Sequence, residues 1–283
     1  MKHIPELRYY AYHVLAHHSK VAFHADGRWF IQRMERGVMQ GSPISGLIFN
    51  LTQADPIRRI RNLHPQALIL SLHDDHFLVG PPTHVLTAAE DLAASLSEIG
   101  LEINLSKSKM FSLNPISRAP RRVAERNRIQ VVNNNAGVIV AGVPIGTNQF
   151  MIDFCKDKVK DIDATMKSIV KEPPLMPSCQ IQACFYIARV SFQQQLGYWL
   201  RCTPWKQTLP AARILDRKIY NFIRKILNIE GEALAWSDAD SPFFERIFLP
   251  IRLGGCGFTT FKATQKAAYV GSMALSARSY HLG

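Results

Sequence analysis

The chain has 283 residues, of which 47% are hydrophobic and 20% charged, so it can fold as one large domain or two ordinary ones. Its 34 Lys and Arg residues outnumber its 22 Asp and Glu residues, and the net charge of +12 favours a polyanionic partner such as nucleic acid. Five cysteines without a C-x-x-C pair and the lack of a bilayer-length apolar stretch argue against a disulfide framework and a membrane role, and they predict an intracellular protein, nuclear or cytoplasmic.

The first part of the chain predicts a helix, a β-hairpin and a second helix. The first helix covers residues 7–18, and the hairpin covers residues 21–32 around an Asp-Gly turn at Asp26. Ser42, followed by a proline, is typical of a helix start, and apolar residues at helical spacing follow it. We expect Pro56 to kink or restart this second helix.

Asp74 and Asp75 lie between two apolar, strand-like runs, residues 67–73 and 77–80. An ionised pair at the end of a buried strand costs about 3 kcal/mol or more without a partner, and Mg²⁺ and Mn²⁺ are the usual oxygen-ligated ions at such places. We therefore expect a divalent cation here and, with it, phosphoryl-transfer chemistry. A plain hairpin turn is the alternative, because Asp favours turns. Zinc bound with the two flanking histidines is disfavoured, since adjacent strand residues point to opposite faces.

The rest of the chain predicts a helix, a short strand, an arginine-rich connector, a second hairpin and four long helices. In that order they cover residues 85–99, 101–104, 118–128 and 129–143, then 153–171, 178–200, 210–228 and 260–278. The second hairpin is expected to pair residues 129–132 with 137–143 around three asparagines. The pattern thus predicts an α+β domain over residues 1–150 and a helical domain over 151–283.

Three short motifs lie in a fixed order around the acidic pair. A glycine-rich turn over residues 37–45 precedes it, and such a turn lets the backbone approach a bound nucleotide. A Gly-Leu-Glu-Ile-Asn-Leu-Ser-Lys segment ends at Lys107, and a Gly-Val-Pro-Ile-Gly segment ends at Gly146. Together with the Asp-Asp pair, this order resembles the reverse transcriptases of retroelements, most closely the type without long terminal repeats. The Leu-Pro-x-x-x-Gly-Gly-x-Gly stretch over residues 249–257 also resembles sequence found downstream in such element proteins.

The resemblance implies a partial polymerase palm, an antiparallel sheet with packed helices, over residues 1–150. It implies a mostly helical thumb and connection region over residues 151–283. The site residues that it implies are Gln40, Gly41 and Ser42 for nucleotide and template, Asp74 and Asp75 for the catalytic metal, Lys107 for the nucleotide phosphates, and Gly142, Val143, Pro144 and Gly146 for a primer-grip-like hairpin.

By the same resemblance, the reaction is RNA-directed DNA synthesis, a template-directed nucleotidyl transfer with Mg²⁺ or Mn²⁺ as cofactor. The implied partners are an RNA template, a DNA primer, deoxynucleoside triphosphates and other domains of the same element protein. Ser42 departs from the family, which usually has Asp at this position. The family also has a metal-binding Asp upstream of the Gln-Gly turn, and no acidic residue before Gly37 fits that role. We therefore expect a fragment that starts after the first catalytic Asp and has weak or no activity alone.

Two other readings of the sequence stay open. The first is a non-catalytic, basic nucleic-acid-binding protein that kept the polymerase scaffold. The second is a helical interaction protein in which Lys107 and the arginines between residues 118 and 128 are solvent-facing charges. Only the second predicts no salt-dependent affinity for an RNA–DNA hybrid.

Overall fold

The computed structural model describes residues 5, 8, 9, 12, 19–34, 37–39, 41–133, 135–169, 181–229 and 242–280. The chain forms two compact units, one made of residues 1–110 and 116–131 and the other of residues 111–115 and 132–283. The site residue Gln40 lies outside the described residues. The helix predicted at residues 7–18 lies almost entirely outside them. The architecture mixes helices with small two-stranded sheets, which confirms an α+β protein.

The first unit opens with the predicted hairpin. Strand β1 (Ser19–Ala25) pairs with strand β2 (Arg28–Met34) in antiparallel register, and Asp26 and Gly27 form the turn. Both turn residues have positive φ, 48° and 73°, which Asp and Gly tolerate better than most residues.

Helix α1 (Ser45–Leu63) begins later than the sequence predicted and runs without a break through Pro56. Ser42 does not cap it, because the residue before the helix is Ile44 and no side chain donates or accepts a capping hydrogen bond there. Instead, the Ser42 carbonyl accepts a hydrogen bond from the Ser45 N–H at 3.1 Å, in a turn that leads into the helix.

The acidic hairpin follows and packs on two helices. Strands β3 (Leu68–Leu72) and β4 (Asp75–Val79) pair in antiparallel register, and helix α2 (Pro82–Ser97) comes next. Gly100, with φ at 79°, follows the end of α2, and the Leu101 N–H donates to the Leu96 carbonyl at 3.0 Å. The core of this unit joins α1, β3 and α2 and consists of Ile57, Ile60, Ile69, Leu92 and Leu96.

The structure corrects three predictions between residues 101 and 146. Residues 101–104 form no strand; a short 3₁₀ turn at Leu105–Lys107 leads to strand β5 (Lys109–Met110), which pairs in parallel with β6 (Gln130–Val131). The arginine-rich segment is helix α3 (Arg118–Arg126), since Arg, Ala and Glu are good helix formers.

The second hairpin also differs from its prediction. It pairs β7 (Gly137–Val140) with β8 (Val143–Gly146), not residues 129–132 with 137–143. Ala141 and Gly142 form its turn, with φ of 48° and 79°, which suits a two-residue hairpin connection. This hairpin belongs to the second unit, whereas the predicted domain boundary lies at residue 150.

Helices build the second unit. They are α4 (Asn148–Ile169), α5 (Ile181–Ile187), α6 (Gln193–Gln195), α7 (Gly197–Cys202), α8 (Trp205–Ile226), α9 (Pro242–Phe248) and α10 (Phe261–Tyr280), and a π-helical stretch, Ala188–Phe192, joins α5 to α6. Helix α4 packs along α8, and α10 packs on α7 and α8. Large side chains such as Phe192, Leu215 and Tyr220 fill the core between them.

Two further findings concern the described residues as a whole. Cys155, Cys202 and Cys256 are free thiols, and burial raises the pKa of Cys155 to about 11. No helix in the described ranges has the length and apolar character that crossing a bilayer requires.

Candidate functional site

Asp74 and Asp75 lie at the exposed tip of the β3–β4 hairpin. Leu72 is opposite Asp75, so His73 and Asp74 form the turn and Asp75 is the first residue of β4. Both carboxylates are exposed, and neither has an ion-pair or hydrogen-bond partner within the described part of the chain. The expectation that burial forces a cation onto this pair was therefore wrong: the alternate leucines of β3 face solvent, and only Ile69 is buried. The carboxylates are instead solvated and accessible to a ligand.

Helix α1 packs against the turn that carries Asp74. The Gln53 side chain is only 2% exposed, and its Nε2 donates to the His73 carbonyl at 2.7 Å and to Asn50 Oδ1 at 3.3 Å. About two turns earlier in α1, Gly46 lies against the His73 ring. A Cβ at this position would be 3.2 Å from His73 Cε1. The helix that follows the glycine-rich turn is therefore fixed to the turn that carries Asp74.

His73 has a positive φ in this turn. Its φ is 54°, a left-handed conformation that is uncommon for residues other than glycine but that Asn, Asp and His adopt more often than most. The hydrogen bond from the buried Gln53 side chain to the His73 carbonyl holds the turn in this conformation.

His76 is the other titratable group of the hairpin. Its Nδ1 lies 2.9 Å from Ser71 Oγ, directly across the strand pair. Burial lowers the pKa of His76 from its ordinary value, and this effect outweighs the opposing negative charges of Asp75 and Asp74. His76 is thus neutral at pH 7 and adds no positive charge that would compete for the two carboxylates.

The glycine-rich turn has the backbone geometry that a close approach needs. Gly41 is exposed and has φ at 87°, and the Ser42 N–H donates to the Met39 carbonyl at 3.3 Å. Contacts of α1 with His73 bring the helix after this turn to the acidic hairpin.

Lys107 ends the 3₁₀ turn after α2 and is exposed. Its backbone N–H donates to the carbonyl and to the side chain of Asn104, at 3.1 and 3.3 Å, which fixes the turn but not the ammonium group. Among the described residues, no hydrogen bond or ion pair joins Lys107 to Asp74 or Asp75.

Two aromatic donors hold the turn of the β7–β8 hairpin in the second unit. The Tyr198 hydroxyl donates to the Ala141 carbonyl at 2.7 Å, and Trp199 Nε1 donates to the Gly142 carbonyl at 3.0 Å. The rest of the implied primer grip lies on β8: Pro144 is buried, Val143 is half-buried, and Gly146 leaves no room for a Cβ, which would lie 2.5 Å from the Ala136 carbonyl.

Asp74 and Asp75 are the residues that would hold a divalent ion, and they provide only part of its coordination shell. Two accessible carboxylates without a protein cation are hard oxygen donors that suit Mg²⁺ or Mn²⁺. In the ranges that the structure describes, no group of three or more His, Cys, Asp or Glu side chains converges on one point. An ion bound here would complete its shell with water and phosphate oxygens, as Mg²⁺ commonly does with one or two carboxylates.

Comparison with known proteins gives one distant similarity. The chain is 22% identical over 250 residues to the retrotransposable element SLACS 132 kDa protein of Trypanosoma brucei gambiense. The chain is similar to a retroelement protein. The match covers 84% of the chain, but the chain spans only 18% of that protein's length. No family model and no solved structure matches the chain.

The hydrogen bond from Gln53 to the acidic turn was not predicted from the sequence. Gln53 lies on the same face of α1 as Ile57 and Ile60, and a polar residue on an otherwise buried helix face was the available signal. Its partner, His73, is 20 residues away in the chain, so local pattern alone could not identify it.

Proposed function

We propose that this chain is part of a retroelement reverse transcriptase, an RNA-directed DNA polymerase that uses Mg²⁺ or Mn²⁺. The observation that carries the proposal is the β3–β4 hairpin, with two exposed carboxylates at its tip and a helix from the glycine-rich turn fixed beneath it. The order of the sequence motifs and the similarity to a retrotransposable element protein support the same reading.

Each residue has a defined task in this reaction. The primer 3′-oxygen forms a bond to the α-phosphorus of the nucleotide, the bond from that phosphorus to the bridging oxygen breaks, and pyrophosphate leaves while the hydroxyl proton passes to solvent. A divalent ion, when bound, lowers the pKa of the attacking hydroxyl and neutralises developing charge on the phosphate oxygens. Asp74 and Asp75 hold that ion, Lys107 contacts the departing phosphates, and the backbone at Gly41 packs against the nucleotide.

Primer extension tests the proposal. A labelled DNA primer on an RNA template is incubated with the full chain, all four deoxynucleotides and Mg²⁺ or Mn²⁺. The matched variants are Asp74→Asn and Asp26→Asn, because both aspartates lie in two-residue hairpin turns. We expect extension that Asp74→Asn reduces by about 100-fold or more, as loss of a charge-stabilising group does, and that Asp26→Asn leaves within about twofold of wild type. Equal extension by both variants would refute the proposed role of the acidic hairpin.

The second candidate function is nucleic-acid binding without catalysis. Helix α3 favours it, because Arg118, Arg122 and Arg126 are exposed and form no ion pair within the described part of the chain. This candidate predicts that the chain binds an RNA–DNA hybrid with an affinity that falls steeply with salt, and that neither wild type nor Asp74→Asn extends a primer.

A further inference from the structure

The β1–β2 hairpin is a two-stranded ribbon with two exposed faces. Among its described side chains, only Val21 and Ala25 are half-buried, and the others are exposed. Trp29 is 73% and Ile31 is 70% exposed, although they are large apolar side chains. A two-stranded hairpin is marginally stable in water on its own, so exposed aromatic residues on such a ribbon indicate a surface for a partner.

The strand register sorts the side chains into two different faces. One face, which we name the basic–aromatic face, is formed by Lys20, Ala22, His24, Trp29, Ile31 and Arg33. The opposite face carries the stacked pair Phe23 and Phe30, with ring centroids 5.4 Å apart, and Arg28 near the turn. Substitutions on the opposite face can therefore serve as matched controls for substitutions on the basic–aromatic face.

The basic–aromatic face has a cation pair at one end. Lys20 and Arg33 are directly opposite each other in the register, and both are exposed. Like charges at directly opposed positions destabilise a strand pair. Neither forms an ion pair with any described residue, and Asp26 is the only acidic residue between positions 19 and 34. An anion bound between the two cations would remove their repulsion.

The other end of the face has an aromatic platform. Trp29 and His24 pack in an edge-to-face arrangement, with ring centroids 5.3 Å apart, and Trp29 is still 73% exposed. The distance along the strand from Lys20 to His24 is about 13 Å, comparable to a few nucleotides of a single strand. Phosphate contacts beside stacking aromatic side chains are how proteins bind single-stranded nucleic acid without reading its sequence.

We propose that the basic–aromatic face of the β1–β2 hairpin binds single-stranded nucleic acid, with phosphates at Lys20 and Arg33 and a base on Trp29. The net charge of +12 fits the same partner. This binding site is separate from the chemistry proposed at Asp74, so it holds whether or not the chain polymerises nucleotides.

The test is the affinity of the full chain for labelled single-stranded DNA and RNA oligonucleotides of about 12 nucleotides, measured by fluorescence anisotropy at several salt concentrations. Trp29→Leu keeps an apolar side chain and removes the stacking surface, and Trp29→Phe restores an aromatic ring. We expect Trp29→Leu to weaken binding by about 5- to 100-fold, the range for loss of one stacked base, and Trp29→Phe to recover most of it. Phe30→Leu, the matched change on the opposite face, should stay within about twofold of wild type.

A second pair of matched variants tests the charged end of the basic–aromatic face. Arg33→Gln should lower the slope of log affinity against log salt by about 0.7, as loss of one phosphate contact to a single strand does, whereas Arg28→Gln should leave the slope unchanged. Heparin separates charge from stacking: Arg33→Gln should weaken heparin binding, and Trp29→Leu should not.

Several results would overturn the proposal. If Trp29→Leu and Phe30→Leu weakened binding equally, the hairpin would act only through its folding. If every hairpin variant bound the oligonucleotides like wild type, the face would belong to a protein partner. The readout here is oligonucleotide binding and not nucleotide addition, so the two proposals fail independently.

Discussion

Asp216 is a buried acidic residue of the second unit, and its side chain links α8 to α10. It is 1% exposed on α8, and its carboxylate accepts the backbone N–H groups of Phe261 at 2.8 Å and Lys262 at 3.0 Å, at the start of α10. Burial raises the pKa of Asp216 to about 6, although these two hydrogen bonds and the charge of Lys262 oppose the shift. The side chain therefore caps a distant helix and is charged at pH 7 at some cost in stability.

The raised pKa predicts a gain in stability on mild acidification. Because the folded-state pKa lies above the ordinary value of 3.8, the folded protein takes up this proton first, and its stability rises as the pH falls through about 6. Between pH 7.5 and 5, wild type should gain about 1 kcal/mol in unfolding free energy relative to Asp216→Asn, which keeps an oxygen acceptor but does not titrate. Urea unfolding at the two pH values measures this difference. The same pH dependence in both proteins would show that Asp216 does not titrate in this range.

Gln53 tests the support of the acidic turn at the level of one side chain. Gln53→Leu removes the donor to the His73 carbonyl, and the loss of a buried hydrogen bond should cost about 1–3 kcal/mol in unfolding free energy. Amide hydrogen exchange within β3 and β4 should accelerate. The neighbouring change Thr52→Val, on the exposed side of α1, should alter stability by less than about 0.5 kcal/mol. If both variants exchanged at the same rate in β3 and β4, α1 would not support the turn.

At the level of elements, the Leu249–Gly257 segment shows what its glycines do. The segment folds back on the end of α9 through hydrogen bonds from Cys256 N to the Arg246 carbonyl at 2.8 Å and from Gly257 N to the Leu249 carbonyl at 2.9 Å. A Cβ at Gly255 would lie 2.1 Å from the Leu249 carbonyl oxygen, so only glycine fits. The motif therefore specifies a tight backbone turn.

This packing predicts opposite effects for two glycine substitutions. Gly255→Ala forces the backbone of the segment to move and should lower the unfolding free energy by about 1–3 kcal/mol, the usual cost of overpacking. Gly271→Ala lies within α10, where an added Cβ meets nothing within 4 Å, and should raise stability by up to about 1 kcal/mol. Thermal unfolding of the two variants gives the comparison, and a stable Gly255→Ala protein would contradict the packing.

Elements with a strong local pattern were predictable, and those that depend on distant partners were not. The β1–β2 hairpin follows from two strand-like runs around an Asp-Gly turn, and the β3–β4 hairpin follows from two apolar runs around turn-forming Asp. The long helices follow from apolar residues at helical spacing. The β7–β8 hairpin was misread because three asparagines at residues 133–135 give a stronger turn signal than Ala141 and Gly142. The parallel β5–β6 pair joins residues about twenty apart and carries two pairs of residues, too few for any periodic signal.

At the level of the candidate site, residue types were predictable and their environment was not. The acidic pair and its turn stand out in the sequence, but their exposure depends on which face of β3 is covered, and that is decided by α1 and α2. The hydrogen bond from Gln53 and the two aromatic donors to the β7–β8 turn depend on contacts between residues 20 and 57 positions apart. Such contacts cannot be inferred from the local sequence pattern.

For the molecule as a whole, the proposals rest on its charge, on the order of its motifs and on one distant similarity. The chain carries a net charge of +12, and its similarity to a retrotransposable element protein extends over 84% of its length. The first unit contains the acidic hairpin, the glycine-rich turn, Lys107 and the β1–β2 hairpin. One unit thus contains the groups proposed for catalysis together with a surface proposed for a single strand.

Template-directed incorporation of a single nucleotide distinguishes a polymerase from a protein that only binds nucleic acid. Four RNA templates that differ only in the first base beyond a DNA primer are each offered one deoxynucleotide at a time, with Mg²⁺ or Mn²⁺ and the full chain. We expect slow addition of the complementary nucleotide on each template, none without a divalent ion, and none above background with Asp74→Asn. A chain that binds the primed template but adds no nucleotide, or adds all four regardless of template, would contradict the proposed polymerase function.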